Sequence, residues 1–189
     1  MADDTDTNPM LDNVDEVDLS QALIRFAELD DAAAMREIYN REVAHSTSSL
    51  DWFPLSGADW WSWFNEHTRD QHVLLVVELG GDIVGFAGYG SFRSKAGYAT
   101  TVEDSVYLKE GFRSHGLGGL LLRRLLDEAR AHGVHSMVAA VTNENAASLA
   151  LHLGCGFVQA GHLPQAGHKF GRWLDLHLLQ ILLDDRPTP

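Results

Sequence analysis

At 189 residues, with 45% apolar and 22% charged side chains, the chain is long enough for one domain with a core of its own. Its formal net charge of −13 argues against non-specific nucleic-acid binding, and no apolar window approaches the length of a membrane span. The single cysteine, Cys155, excludes an internal disulfide, and the ten histidines show no HExxH or comparable spacing, so no metal is expected.

The first twenty residues hold seven acids and no base. They read as a disordered acidic tail, 1–20, ahead of one domain over 21–185. They lack the basic and apolar regions of a signal peptide, which makes a cytoplasmic protein the expectation. Leu23–Ala27 reads as a first strand. Asp30 or Asp31 can cap a helix to about His45, with Ala34, Met35, Ile38, Tyr39 and Val43 at helical spacing. Ser46–Pro54 is polar, then aromatic, and reads as a loop; Gly57–His67 reads as a second helix, whose Trp60, Trp61 and Trp63 cannot all face one way. Val73–Leu79 and Ile83–Phe92 are strands joined by a tight turn at Gly80-Gly81-Asp82. Arg93–Gly97 is a loop, and Ala99–Leu108 is the long central strand. Gly116–His132 reads as a helix with Gly133 as its C-cap, His135–Val141 as a strand and Ala146–Leu153 as a short helix. Phe157–Gly161 and Arg172–Leu183 are the last two strands. Strands before and after one long helix make an α+β (mixed α/β) layer and not a regular βαβ array.

One stretch carries chemistry. Arg113-Ser114-His115-Gly116-Leu117-Gly118 stands between the central strand and the long apolar helix. A helix N-terminus has unsatisfied N–H donors and a partial positive charge, and glycines there let the donors face outward, so such a loop binds phosphate. It is mid-chain and lacks Gly-Lys-Ser/Thr, which makes it neither a dinucleotide fingerprint nor a Walker A loop. Glu103 lies upstream on the central strand. An anion cradle with a potential general base at its mouth points to group transfer from a phosphorylated carrier.

The pattern Arg113-x-x-Gly116-x-Gly118 resembles the acetyl-coenzyme-A loop of the GCN5-related N-acetyltransferases. Asn145-x-x-Ser148-x-x-Leu151-His152-x-x-x-Gly156-Phe157 looks like the second half of that fold. Thr101-Val102-Glu103-x-Ser105-Val106-Tyr107 and Lys169-Phe170-Gly171-Arg172-Trp173-Leu174-Asp175 are similar to the phosphinothricin and methionine sulfoximine acetyltransferase subfamily. The resemblance runs from about Ile24 to Leu183. It implies the GNAT fold, a central, mostly antiparallel, splayed sheet flanked by helices. It also implies acetyl-CoA as cosubstrate, transfer to the α-amino group of a small amino-acid analogue, and a homodimer. The alternatives are a different amine (polyamine, antibiotic or protein N-terminus) or a non-catalytic acyl-CoA-binding module.

Strand alternation puts Glu103 on one face with Thr101 and Ser105, opposite Val102 and Val106. The resemblance implies that Glu103 deprotonates the amine, directly or through water; the plain alternative is an exposed strand carboxylate. It also implies that Val106, Tyr107 and Leu108 meet the coenzyme, a free N–H of the splayed strand polarising the acetyl carbonyl. Arg113, Ser114, His115, Gly116, Leu117, Gly118 and Gly119 form the expected pyrophosphate loop. Asn145, Ser148 and His152 share a helix face, and the resemblance implies that the first two contact the pantetheine arm. His152 stands where many relatives carry a tyrosine that protonates the departing thiolate; it can supply that proton or order a water near Glu103. Phe92, Arg93, Tyr98 and Thr101 surround the approach to Glu103, with Arg93 a candidate clamp for a substrate carboxylate. Lys169, Phe170 and Trp173 are expected to close the other side of the substrate.

Overall fold

Val73 to Val77 is an unbroken aliphatic run, and all five residues are buried. A strand without alternation needs cover on both faces. The computed structural model, which describes residues 19–68 and 72–188, supplies that cover with two helical layers around one sheet. The elements are β1 (Leu23–Phe26), α1 (Ala32–His45), α2 (Gly57–His67), β2 (Leu74–Leu79), β3 (Asp82–Ser91), β4 (Thr101–Leu108), α3 (Leu117–Ala131), β5 (Ser136–Thr142), α4 (Ala146–Gly154), β6 (Val158–Lys169) and β7 (Arg172–Leu182). The expected acidic tail lies outside the described residues up to position 18. Leu19 packs against the core, and at the other end Arg186 donates to the Gly133 carbonyl at 2.7 Å, so packing reaches slightly beyond 21–185.

The seven strands run in the order β1-β2-β3-β4-β5-β7-β6. Every neighbouring pair is antiparallel except β4 and β5. Helix α3 buries Leu117, Leu121, Leu122, Leu125 and Leu126 on one face of the sheet. On the other, Met35 and Ile38 of α1 and Trp60 and Phe64 of α2 pack on Val76 and Phe86. Trp61 is 45% exposed, so the tryptophans do divide between core and surface. Strand β4 alternates between the layers: Val102, Val106 and Leu108 join the α3 cluster and Tyr107 joins the other. Glu103 therefore faces the α1/α2 layer and Asp104 the α3 layer.

The parallel ladder pairs Thr101, Val102 and Glu103 with Ser136, Met137 and Val138 and ends there. Beyond that point β4 stays with β3 as far as Leu108, and β5 stays with β7 as far as Thr142. The two halves of the sheet diverge and leave a wedge, the expected splay.

Two local expectations are corrected. Asp31 does not cap α1 with its side chain; its carboxylate accepts from the Glu28 N–H at 2.7 Å and pairs with Arg25 at 2.6 Å. Strand β6 continues past Gly161 to Lys169, through register irregularities between Gln159 and Gly161 and between Leu163 and Gly167. Its mostly exposed residues, with Pro164 among them, carry no alternation to read. Lys169–Arg172 is the tight end of the β6–β7 hairpin, with Phe170 at φ 50° and Gly171 at φ 76°. Among the described residues no helix is long and apolar enough to cross a membrane.

Candidate active site

The site begins with main-chain direction. Lys109 N–H donates to the Val84 carbonyl at 2.8 Å, so odd-numbered residues of β4 turn their peptide groups to β3. The Thr100 carbonyl accepts from His135 and Ser136 at 2.9 and 3.1 Å, so even-numbered residues turn theirs to β5. After Glu103 the β5 ladder has ended, and the N–H groups of Val106 and Leu108 face the wedge. There a cavity of about 310 Å³ lies between Glu103–Tyr107 and Ala139–Thr142. A second cavity of about 370 Å³ continues from Val106 to Arg113, Ser114, Gly116, Gly118 and Gly119. Ser48, Val106, Tyr107, Asn145 and Ser148 border both, so the two form one channel.

The far end is a main-chain cradle. Ser114 at φ 65° and Gly116 at φ 89° turn the loop into α3, and Gly116 starts the helix with no side-chain cap. Leu120 N–H bonds back to the Gly116 carbonyl at 3.1 Å, which leaves the N–H groups of Leu117, Gly118 and Gly119 without helical partners. These donors suit an anion. Leu117 offers only its backbone, since its side chain is wholly buried. His115 is half-buried, and its Nδ1 has no hydrogen-bond partner among the described residues. Arg113 is turned onto the carboxylate of Glu42 and lies 3.4 Å from the Leu108 carbonyl.

At the near end Glu103 opens into the cavity opposite Gly90 of β3. Its carboxylate meets solvent yet sits in a concave wall. Partial desolvation and the Asp104 charge push its pKa up, and Arg93 opposes them. A raised carboxylate is better matched to taking a proton near neutral pH.

His152 is 4% exposed and lines the first cavity together with Glu103 and Asp104. Its Nε2 is 2.9 Å from Asp104 Oδ2, and its Nδ1 is 2.7 Å from the Ser148 carbonyl. Both partners are acceptors, which favours a proton on each ring nitrogen. Although burial opposes the charge, the Asp104 carboxylate and the Ser148 carbonyl hold the His152 pKa above its ordinary value.

The residues expected around the substrate do not converge. Phe92, Arg93 and Tyr98 form their own recess with Ser94 and Lys95, where the Arg93 guanidinium lies 4.8 Å from the Phe92 ring centre. Thr101 is half-buried at the start of the β4–β5 ladder. Lys169 is 4% exposed and donates to the Ser49 carbonyl at 2.6 Å, so it holds a loop and does not face an acceptor. Trp173 is 63% exposed beside His168, outside both cavities. Phe170, also half-exposed, belongs to the hairpin turn.

Sequence reasoning missed the roof of the channel. The Ser46–Pro54 loop crosses from α1 to the hairpin, and Ser48, Ser49 and Leu50 line the first cavity. Asn145 donates to Ser48 Oγ at 3.1 Å while its own Oδ1 caps α4 by accepting from the Ser148 N–H at 3.0 Å. Thr142 donates to the Thr47 carbonyl at 3.2 Å, and Tyr39 to Asp51 at 2.6 Å. The run of hydroxyl residues was the available signal, but the β5 and α4 partners of Thr47 and Ser48 are 95 or more positions away in the chain. Cys155 is half-buried with its thiol pushed up, away from thiolate. Among the described residues no cluster of three or more His, Cys, Asp or Glu could hold a metal ion.

The chain matches the acetyltransferase (GNAT) family over residues 32–157. It is 43% identical over 166 residues to the L-amino acid N-acyltransferase MnaT of Escherichia coli, covering 88% of this chain and 96% of that one. It is 42% identical over 166 residues to an L-methionine sulfoximine/L-methionine sulfone acetyltransferase of Salmonella typhimurium, covering 88% and 97%. The phosphinothricin acetyltransferase of Sinorhizobium meliloti, solved in complex with acetyl-CoA, superposes with a TM-score of 0.85 at 31% identity, covering 89% and 94%. The splayed sheet, the channel and the uncapped start of α3 are thus those of a GNAT acetyltransferase, and the chain belongs to that family.

Proposed function

We propose that the protein transfers the acetyl group of acetyl-CoA to the α-amino group of a small amino-acid analogue of the methionine sulfoximine or phosphinothricin type. The observation that carries this reading is the channel, which runs from a carboxylate at one end to an anion cradle at the other. The free N–H groups at the start of α3 fit a pyrophosphate, and the gap between β4 and β5 fits an extended arm past Asn145 and Ser148. When bound there, the coenzyme supplies an activated thioester. Val106 N–H polarises its carbonyl as negative charge develops on the oxygen. Glu103 takes the proton from the amine, which attacks directly. The names and substrates of the relatives support the acceptor class.

Thiol release from acetyl-CoA tests the reading against phosphinothricin, methionine sulfoximine, methionine sulfone, common amino acids, a polyamine and an aminoglycoside. Release confined to amino-acid analogues is expected; release with the polyamine alone would overturn the acceptor class. Glu103 must be ionised to act. Its pKa is raised, so kcat/KM is expected to climb with pH through a value above the ordinary 4.5. Glu103→Gln should remove that limb and lower kcat about 100-fold with coenzyme affinity kept. An unchanged profile would remove Glu103 from the chemistry.

The same reading includes a cytoplasmic homodimer. β6 is one of the two edge strands of the sheet, and Val158 on β6 and Trp173 on β7 are 64% and 63% exposed, which suits a second copy.

A further inference from the structure

The polar side chains around the second cavity are joined to one another, and one residue makes the join. Glu42, in the last turn of α1, has its side chain 7% exposed, and both of its carboxylate oxygens are used. Oε1 accepts from Arg113, the first residue of the cradle loop. Oε2 accepts from Ser46 Oγ at 2.9 Å. Ser46 Oγ in turn accepts from the Ser48 N–H at 3.1 Å, which bends the roof loop onto the end of α1. Ser48 Oγ accepts from Asn145 Nδ2 at 3.1 Å, and Asn145 Oδ1 accepts from the Ser148 N–H at 3.0 Å. These bonds run from the cradle, through α1 and the roof, to α4, and so pass around the channel. Glu42, Ser48, Arg113, Asn145 and Ser148 all line the second cavity, whereas Ser46 lines neither cavity. Ser46 can therefore act on a ligand only through its neighbours.

A buried carboxylate is costly to keep unless its oxygens are partnered, and the two partners of Glu42 belong to the two ends of the site. The roof also has to be held, because fixing a loop costs conformational entropy at every residue. Thr142 of β5 and Lys169 of β6 hold Thr47 and Ser49, and the α1 side of the roof rests on Ser46 and Glu42. We infer that Glu42 and Ser46 are positioning residues that set the roof over the channel before either ligand arrives. The inference rests on the acetyl-transfer reading above. In that reading the amine is walled by Ser49 and Leu50 of the roof, and the coenzyme arm passes the Ser48–Asn145 bond. Both ligands need the roof in the same place.

A site whose competent state is only partly populated binds each ligand more weakly by the populated fraction, and the first ligand removes that penalty for the second. The wild-type roof is already held, so the two ligands gain little from each other. Loss of the Ser46 hydroxyl cuts the bond to Glu42 and the bond to the Ser48 N–H together. Each ligand alone then binds more weakly by one common factor, and each restores the affinity of the other. A residue that touched one ligand directly would lose affinity for that ligand alone, whether or not the second was present. The pattern separates positioning from contact.

Isothermal titration calorimetry on the full-length protein reads this without turnover, with free CoA and methionine sulfone as the two ligands. In the wild type, saturating CoA is expected to change the Kd of methionine sulfone by about two-fold at most. Ser46→Ala should raise the Kd of methionine sulfone alone, and that of CoA alone, about ten-fold each. Saturation with the other ligand should bring each value back to within about two-fold of the wild type. Ser46→Thr keeps the hydroxyl and should bind as the wild type does. Three results would each overturn the positioning role: Ser46→Ala values equal to the wild type, a loss that the second ligand does not restore, or a Ser46→Thr variant that behaves as Ser46→Ala. A wild-type protein that binds CoA but neither methionine sulfone nor any other amine of the panel would sink the acetyl-transfer reading and this inference with it.

Discussion

Lys169 is the residue whose place changed most between sequence and structure. Its position near the C-terminal motif suggests a substrate contact, yet its ammonium is buried under the Ser46–Pro54 loop on the Ser49 carbonyl. Burial lowers its pKa because one carbonyl replaces much of its hydration. Asp51 and Glu42 lie close enough to oppose that shift. Ser49 and Leu50 line the cavity beside Glu103, so the lysine shapes that cavity at one remove. Lys169→Met is therefore expected to raise KM for the amine roughly three-fold or more while moving KM for acetyl-CoA little. Steady-state kinetics with each substrate varied checks this; equal rises in both would assign the lysine to general packing. Glu103 was legible because alternation along a strand fixes the face of every residue. The partner of His152 was not, because Asp104 lies 48 positions away and only the α4–β4 approach brings them together.

Helix α3 was legible almost in full. Its leucines recur at helical spacing, Gly116 opens it and Gly133, at φ 73°, closes it. Leu121 is fully buried among the leucines facing β2, β3 and β4. Leu121→Ala should cost about 3 kcal/mol through lost burial and the cavity left behind. Chemical denaturation reads this directly, and a loss below about 1 kcal/mol would show that the layer collapses around the gap. Gly116→Ala acts differently. Its φ of 89° admits glycine freely and strains alanine, at about 1 kcal/mol. The same strain tilts the N–H groups of the cradle, so KM for acetyl-CoA should rise with kcat for bound substrate little changed. The β6–β7 hairpin was legible only in part. Its exposed, bulged strand lacks period-two alternation, and its turn residues were read for chemistry before geometry.

At the scale of the molecule, β7 lies between β5 and β6, so the end of the chain completes the middle of one sheet half. That leaves β6 as an edge strand with Val158 and Leu163 exposed, and Trp173 beside it on β7. Such an edge invites pairing with a second copy. Trp173→Glu is expected to shift a dimer toward monomer in analytical ultracentrifugation at micromolar concentration; a monomeric wild type would remove the dimer from the proposal. By itself the sequence determined most of the elements, the mixed α/β class, the glycine loop ahead of α3 and the family, because periodicity, glycine placement and loop-to-helix order are local properties. Only the tertiary structure decided where β4 and β5 part, that Ser48 roofs the gap, that Lys169 is buried and that Asp104 holds His152. Each of those depends on side chains distant in the chain meeting at one place, and no local pattern records which distant partner a residue will find.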